Sequence, residues 1–325
     1  MRAGYDRPGR IAVVVIGRNE GVKLERSLRS ALATAWPVVY VDSCSSDGSV
    51  DLARRLGASV VELATPPPCS IARARNAGFA HASALDPELM LVQFLDGDSE
   101  LSPGWCAAAG AAMASNPVLG AVFGTMRERD PRRSLLSRIY HVEFGQHRMA
   151  ANDCPGMSLM RAAAFRAAGG FPEDLIHFED RELSNRLREA GWQIQRLDAE
   201  MAVHEVGGQS FAAWWGRRWR GGYDQACELS RHRPRPAAAL RGSLRAWFWG
   251  LLLPLTAVAA GTVSRPALLL LPLGYALLFA RIARRVSRWG FSSRDAAAYA
   301  AAAVVAKVPE ALGQLHYYGW RAVRR

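Results

Sequence analysis

Two acidic clusters in short polar runs are the residues best suited to chemistry. Asp42 and Asp47 lie in VDSCSSDGS, and Asp96 and Asp98 lie in FLDGDSE. Two carboxylates separated by a glycine can share a hard divalent cation, Mg²⁺ or Mn²⁺, which takes oxygen ligands and also grips a diphosphate. Such a cation neutralises charge on a departing phosphate. A carboxylate at a strand end, as at Asp42, can accept hydrogen bonds from a base or ribose. Both runs also read as turns, since Ser, Asp and Gly favour caps and tight loops. Glu179-Asp180 opens a helical pattern over 181–190, where acidic residues complement the helix dipole.

Chemistry of this kind needs a scaffold that brings distant carboxylates together, and the first 230 residues supply one. Ile11–Ile16 is a short, continuous apolar run, the pattern of a strand buried on both faces. Residues 19–33 follow with Leu24, Leu28 and Leu32 on one helical face. Val38–Val41, Ser59–Leu63 and Met90–Leu95 read as further strands, with helices over Val50–Leu56 and Ile71–Ala84. Strands alternating with helices imply right-handed crossovers and a mostly parallel sheet. Ligands bind such sheets beyond the carboxyl ends of the strands, where both acidic clusters fall.

The composition changes after residue 230. Residues 231–242, RHRPRPAAALRG, read as a linker. Ala246–Val263 carries no charge and is long enough to span a bilayer; Ala267–Ala280 is shorter. Arg241 and Arg245 precede this pair, and Arg281, Arg284, Arg285 and Arg288 follow it. A membrane hairpin with both ends in the cytoplasm fits that asymmetry, and an interfacial helix pair is the alternative. Residues 295–320 read as an interfacial helix with aromatic anchors, and Phe211–Tyr223 as another. The expected organisation is a domain over 1–230, followed by a linker, a hairpin and an interfacial helix over 231–325. The net charge of +12 comes from 41 Lys and Arg against 29 Asp and Glu. Its concentration among tryptophans and apolar runs favours a membrane surface over nucleic acid, for which no recognition signature is present. Five scattered cysteines suit reduced thiols, and the first apolar run is too short for a secretory signal core.

Taken in order, IGRNEGVKLERSL, VDSCSSDGS, ARARNAG and FLDGDSELSPGW resemble the family 2 glycosyltransferases of the GT-A fold, as do PGMSLMRAAAFRAAGGF and FEDRELSNRLREAGW further on. The succession covers roughly residues 10–225. The resemblance implies an α/β GT-A domain that binds a nucleotide-diphosphate sugar. It implies donor contacts at Asn19, Glu20, Asp42, Asp47, Arg75, Asn76 and Asp96, and a cation held by Asp98, Asp96 and His204. It makes Asp180 the general base, with Glu179 as the alternative. A carboxylate that takes the acceptor's hydroxyl proton speeds inverting transfer by about 10²–10⁴-fold. Arg218-Trp219, with Gly222 and Gln225, partly matches the Q-x-x-R-W motif of processive synthases; Trp215 replaces its glutamine, and Arg218 remains a candidate diphosphate contact. The segment 131–147, with Arg132, Arg133, Arg138, Ile139, Tyr140 and Phe144, is a candidate guide for a lipid-linked acceptor. The implied activity is single-sugar transfer to a lipid-linked saccharide at the inner membrane, for an envelope polysaccharide. The alternatives are transfer to a polyprenyl phosphate and a non-catalytic sugar-nucleotide-binding protein.

Overall fold

The structure is a computed structural model that describes residues 10–64, 70–145, 154–175, 179–206, 210–231 and 237–323. Cys69, His147, Phe178 and linker residues 232–236 lie outside them. The chain forms two compact units, residues 1–129 with 144–205, and residues 130–143 with 206–325.

The first unit is an eight-stranded mixed sheet with helices on its faces. Its elements are β1 (Ile11–Gly17), α1 (Val22–Leu32), β2 (Val38–Asp42), α2 (Ser49–Leu56), β3 (Ser59–Glu62), α3 (Ile71–Leu85), β4 (Leu91–Asp96), β5 (Ser99–Leu101), α4 (Trp105–Ser115) and β6 (Leu119–Glu128). After α5 (Leu135–Phe144), most of which belongs to the second unit, come β7 (Leu159–Arg161), α6 (Ala162–Ala167), α7 (Glu179–Glu189) and β8 (Gln193–His204). The strand order is β3-β2-β1-β4-β7-β6-β8-β5. Strands β3, β2, β1 and β4 are parallel, as the alternating pattern requires, and β7 and β5 pair antiparallel to their neighbours. Val13, Val14, Val15, Val39, Val41, Leu91, Val92 and Phe94 are fully buried, which explains their unbroken apolar runs. Leu24 and Leu28 of α1 reach the same core.

Register sets the site. Gly17 of β1 lies beside Asp42 of β2, and Ile16 lies beside Asp96 of β4. Two strand ends, far apart in sequence, therefore deliver their carboxylates to one edge. On the other side of the sheet, His204 is in register with Glu128 of β6 and with Ser99 of β5.

The second unit is helical, with α5, α8 (Phe211–Arg231), α9 (Ala237–Trp247), a π-helical turn (Phe248–Leu252), α10 (Leu253–Val263), a 3₁₀ turn (Arg265–Leu269), α11 (Leu270–Arg288), α12 (Ser293–Val305) and α13 (Lys307–Val323). Helix α8, placed by the sequence reading within the first domain, lies in this unit. Residues 237–242, read as linker, are helical, because Ala-Ala-Ala-Leu-Arg after a proline is a strong helix start.

Three stretches are long and apolar enough to cross a membrane: Ala239–Val263, Arg265–Arg288 and Ser293–Val323. The third contains most of the stretch expected to form an interfacial helix and is long and apolar enough to span as well. Its polar residues are satisfied internally: Lys307 pairs with Glu310 at 2.5 Å, and Gln314 accepts from Ser243 Oγ at 2.5 Å and donates to Gln225 Oε1 at 3.3 Å. Helices α8 and α13 cross closely because Gly313 has no side chain; a Cβ there would lie 2.0 Å from the Trp219 carbonyl oxygen. Leu252, Leu255, Val258, Leu269, Leu270, Leu273 and Leu277 are all exposed. An apolar surface of that extent marks contact with something other than water. With the span lengths, it indicates membrane association.

Candidate active site

The loops after β1 and β2 are stitched into one rim. Asn19, in the left-handed region (φ 56°) that asparagine tolerates, donates its N–H to Ser45 Oγ and accepts from the Ser46 N–H at 2.7 Å. Asp47 accepts from the Gly21 N–H at 3.0 Å and from the N–H and hydroxyl of Ser49 at the start of α2. These bonds, led by the Ser49 hydroxyl, hold the Asp47 carboxyl below its ordinary range. Asp42 is buried and accepts from the Tyr40 hydroxyl at 2.9 Å and the Ser45 N–H at 2.8 Å. Burial, and then the Asp42 charge, push the Tyr40 phenol upward, which keeps it a donor. Each Asp42 oxygen has a second acceptor site. The rim thus presents a fixed carboxylate on a rigid loop pair.

Beside it, Arg75 of α3 gathers the remaining acids. Its guanidinium donates to Asp96 Oδ1 at 3.0 Å and to Asp180 Oδ1 at 3.1 Å, and lies 3.6 Å from Glu179 Oε1. The Arg75 side chain is only 4% exposed, whereas Asp96 and Asp180 are 36% and 37% exposed and open to ligand. Its carbon centre stacks 5.1 Å from the Phe171 ring. Gly156 makes room: a Cβ there would fall 2.0 Å from Arg75 Nη1. Glu179 and Asp180 repel each other in a desolvated setting. Burial first, then the Asp180 charge, raise Glu179 to about 7 against the pull of Arg75. Burial raises Asp180 as well, opposed by Arg75 and by the Gly156 N–H. Glu20 is also raised, by burial and then by Asp98 and Asp96. Such upward shifts suit a carboxylate that must take a proton near neutral pH.

Asp98 and His204 meet at 3.1 Å through Nε2. On the far side, Nδ1 lies 3.8 Å from the buried Glu128 carboxylate. Burial opposes the imidazolium, but the hydrogen bond to Asp98 and the nearby Glu128 carboxylate outweigh it and push His204 up to about 9. Burial likewise opposes the Asp98 charge, and the His204 hydrogen bond reverses the balance and lowers that carboxyl. A pair that binds a proton this tightly has the donor set for a divalent cation in its place, and mixed oxygen and nitrogen donors suit Mn²⁺. Among the described residues, no group of three or more His, Cys, Asp or Glu side chains is poised to hold a metal. Asp98 and His204 are the residues that would hold such a cation.

Other expected contacts fall elsewhere. Asn76 commits its amide to the loop before α7: Nδ2 donates to the Phe171 carbonyl at 2.8 Å and to Glu173 at 2.9 Å, and Oδ1 accepts from the Phe171 N–H at 2.9 Å. Arg218 lies in the second unit, where it donates to both Glu143 oxygens at 2.7 Å. In the segment 131–147, Ile139 and Tyr140 are buried, and Arg138 pairs with Asp295 at 2.7 Å. Tyr40, Glu128, Gly156 and Phe171 escaped the sequence reading. Pro155-Gly156 reads as a turn, and nothing local marks the other three.

A GT-A sheet with an acid-lined carboxyl edge defines a class. The structure overlays on the mannosyltransferase PcManGT from Pyrobaculum calidifontis, solved in complex with GDP-Man and Mn²⁺, with a TM-score of 0.63 and 21% identity over 94% of this chain and 88% of that one. A mycobacterial protein overlays with a TM-score of 0.45 and 16% identity, over 64% of this chain and 69% of that one. Residues 12–168 match the family model for Glycosyl transferase family 2, and the chain carries a glycosyltransferase domain of that family. It is also 34% identical over 79 residues to the succinoglycan biosynthesis protein ExoA of Rhizobium meliloti (strain 1021). That alignment spans 24% of each chain.

Proposed function

We propose that this protein is an inverting glycosyltransferase that moves a sugar from a nucleotide-diphosphate donor to a lipid-linked saccharide during assembly of an exported polysaccharide. One observation carries the reading: a single guanidinium joins Asp96 to Asp180, 105 residues from Arg75, beside the Asp98–His204 pair. The donor side and the acceptor side of a transfer site are thereby one cluster. The likeness to ExoA, a succinoglycan biosynthesis protein, supports the polysaccharide context, and the apolar helices support a membrane-borne acceptor.

In this reading the Asp42 carboxylate accepts from the nucleoside, and Glu20 and Asp96 line the donor. Asp98 and His204 would hold a divalent cation, which would supply positive charge against the departing nucleoside diphosphate. Asp180 takes the proton from the acceptor hydroxyl as that oxygen bonds to the anomeric carbon and the bond to the diphosphate breaks. Arginines flanking the first two apolar stretches support a catalytic unit on the cytoplasmic face of the inner membrane.

A thermal-shift panel of nucleotide sugars, with and without Mn²⁺, tests this. A donor present at about 100 times its Kd stabilises the fold by about 2.7 kcal/mol. The Mn²⁺-dependent part of that shift disappears in Asp98→Ala. Absence of a shift from every nucleotide sugar defeats the proposal. Asp180→Asn separates acceptors: a saccharide hydroxyl needs the base, whereas a polyprenyl phosphate oxygen does not, so full activity in that variant selects the phosphate acceptor.

A further inference from the structure

Arg75 is a buried cation with three acidic side chains around it, Asp96, Glu179 and Asp180. Two of its nitrogens already serve Asp96 and Asp180, and its side chain is 4% exposed. Its Nε is buried and has no hydrogen-bond partner among the described residues. Little of this guanidinium remains to reach a ligand. What it does reach are two partly exposed carboxylates from different elements, Asp96 at the end of β4 and Asp180 in the first turn of α7. The planar fork fixes the separation and orientation of the two oxygens it holds, as a lysine ammonium, a point charge on a flexible stem, cannot. The surroundings fix the fork in turn: the Phe171 ring lies against one side, and Gly156 leaves no Cβ to displace it. Phe171 is itself latched through its main chain by Asn76, the residue after Arg75.

We infer that Arg75 is a positioning residue: it holds the acceptor-side base Asp180 in register with the donor-side carboxylate Asp96 and does not itself contact the donor. This rests on the transferase reading above and adds to it a fixed mechanical link between the two halves of the reaction. The link explains why a buried cation sits among three acids. Three carboxylates gathered this closely repel one another, and the one guanidinium between them offsets that repulsion. It also gives Gly156 a function, as the space the guanidinium fills.

The test uses the full chain in detergent, with the nucleotide sugar that gives the largest thermal shift as substrate and UDP and GDP with Mn²⁺ as binding probes. Arg75→Met and Arg75→Lys are expected to lower kcat about 100-fold or more, while the Kd of the better-bound nucleoside diphosphate moves less than about threefold. Gly156→Ala leaves every charge in place and is expected to lower kcat in the same way, by displacing the fork. Should Arg75→Met fail to fold, Arg75→Lys and Gly156→Ala carry the comparison. A Kd weakened tenfold with kcat preserved would make Arg75 a donor contact and overturn the inference. Wild-type kcat in both Arg75→Lys and Gly156→Ala overturns it as well. In either case the wild-type turnover leaves the transferase reading standing, whereas a wild-type chain that turns over no nucleotide sugar overturns both.

Discussion

Replacing Asn76 by alanine separates two roles that one residue type can play beside a donor pocket. The structure gives its amide two bonds to the Phe171 main chain, at 2.8 and 2.9 Å, and one to the exposed Glu173. The third is in water's reach and contributes little. The first two hold a loop whose ring is 2% exposed and packs against Phe94, Phe165 and Arg75. Losing them leaves a half-buried N–H and C=O without partners, about 1–1.5 kcal/mol each and about 2–3 kcal/mol together. For a unit of 150–250 residues each kcal/mol shifts the melting midpoint by about 2–4 °C, so Tm should fall by about 5–10 °C. The assay is thermal unfolding of the full chain in detergent, followed by UDP and GDP binding with Mn²⁺. A Tm within about 1 °C of wild type together with lost nucleotide binding would refute the latch and make Asn76 a donor contact.

Glu179 is held at about 7 when folded, above its ordinary 4.5, by burial and then by Asp180. A group with a raised folded pKa stabilises the fold fully below the lower value and loses that contribution as pH rises through the upper one. Tm should therefore fall between about pH 4.5 and 7, and Glu179→Gln should flatten that slope; identical slopes in the two proteins would contradict the assignment. Gly313→Val drives a side chain into the Trp219 carbonyl, 2.0 Å from the new Cβ, and should lower the stability of the helical unit by about 3 kcal/mol or more, read as a lower Tm in detergent. A variant as stable as wild type would show that α8 and α13 are not in close contact. The full chain should stay in the membrane pellet through an alkaline carbonate wash, given three helices of 25, 24 and 31 residues; recovery in the supernatant would exclude spanning.

Much of the first unit was legible because its cause is local. A strand buried on both faces must be apolar throughout, so β1, β2 and β4 announced themselves to within a residue or two. Leu24 and Leu28, one turn apart, marked α1. The carboxyl ends of those strands then located both acidic clusters without coordinates. Strands β6 and β7 were not read as such, and of β8 only its end, Ala202-Val203, was. Strand β8 is mostly half-exposed with alternating polar residues, β7 is three residues long, and their pairings depend on partners far away in the chain. The length of the third helix was hidden for a related reason. Lys307, Glu310 and Gln314 look too polar for a long apolar helix until each is seen to bond within its own unit.

The sequence by itself determined the alternation of elements, the order of the family motifs, the strand ends that carry Asp42 and Asp96, and the apolar, arginine-flanked character of the last third. Tertiary structure alone decided that Arg75 bonds Asp96 and Asp180, 21 and 105 residues away, that Gly156 gives it room, and that Glu128 backs His204. The physical reason is range. Burial and helical or strand periodicity act over a few neighbours and leave a trace in composition. A charge held in low dielectric is balanced by whichever groups the sheet register and helix packing bring near it, and that pairing leaves no mark in the order of the residues.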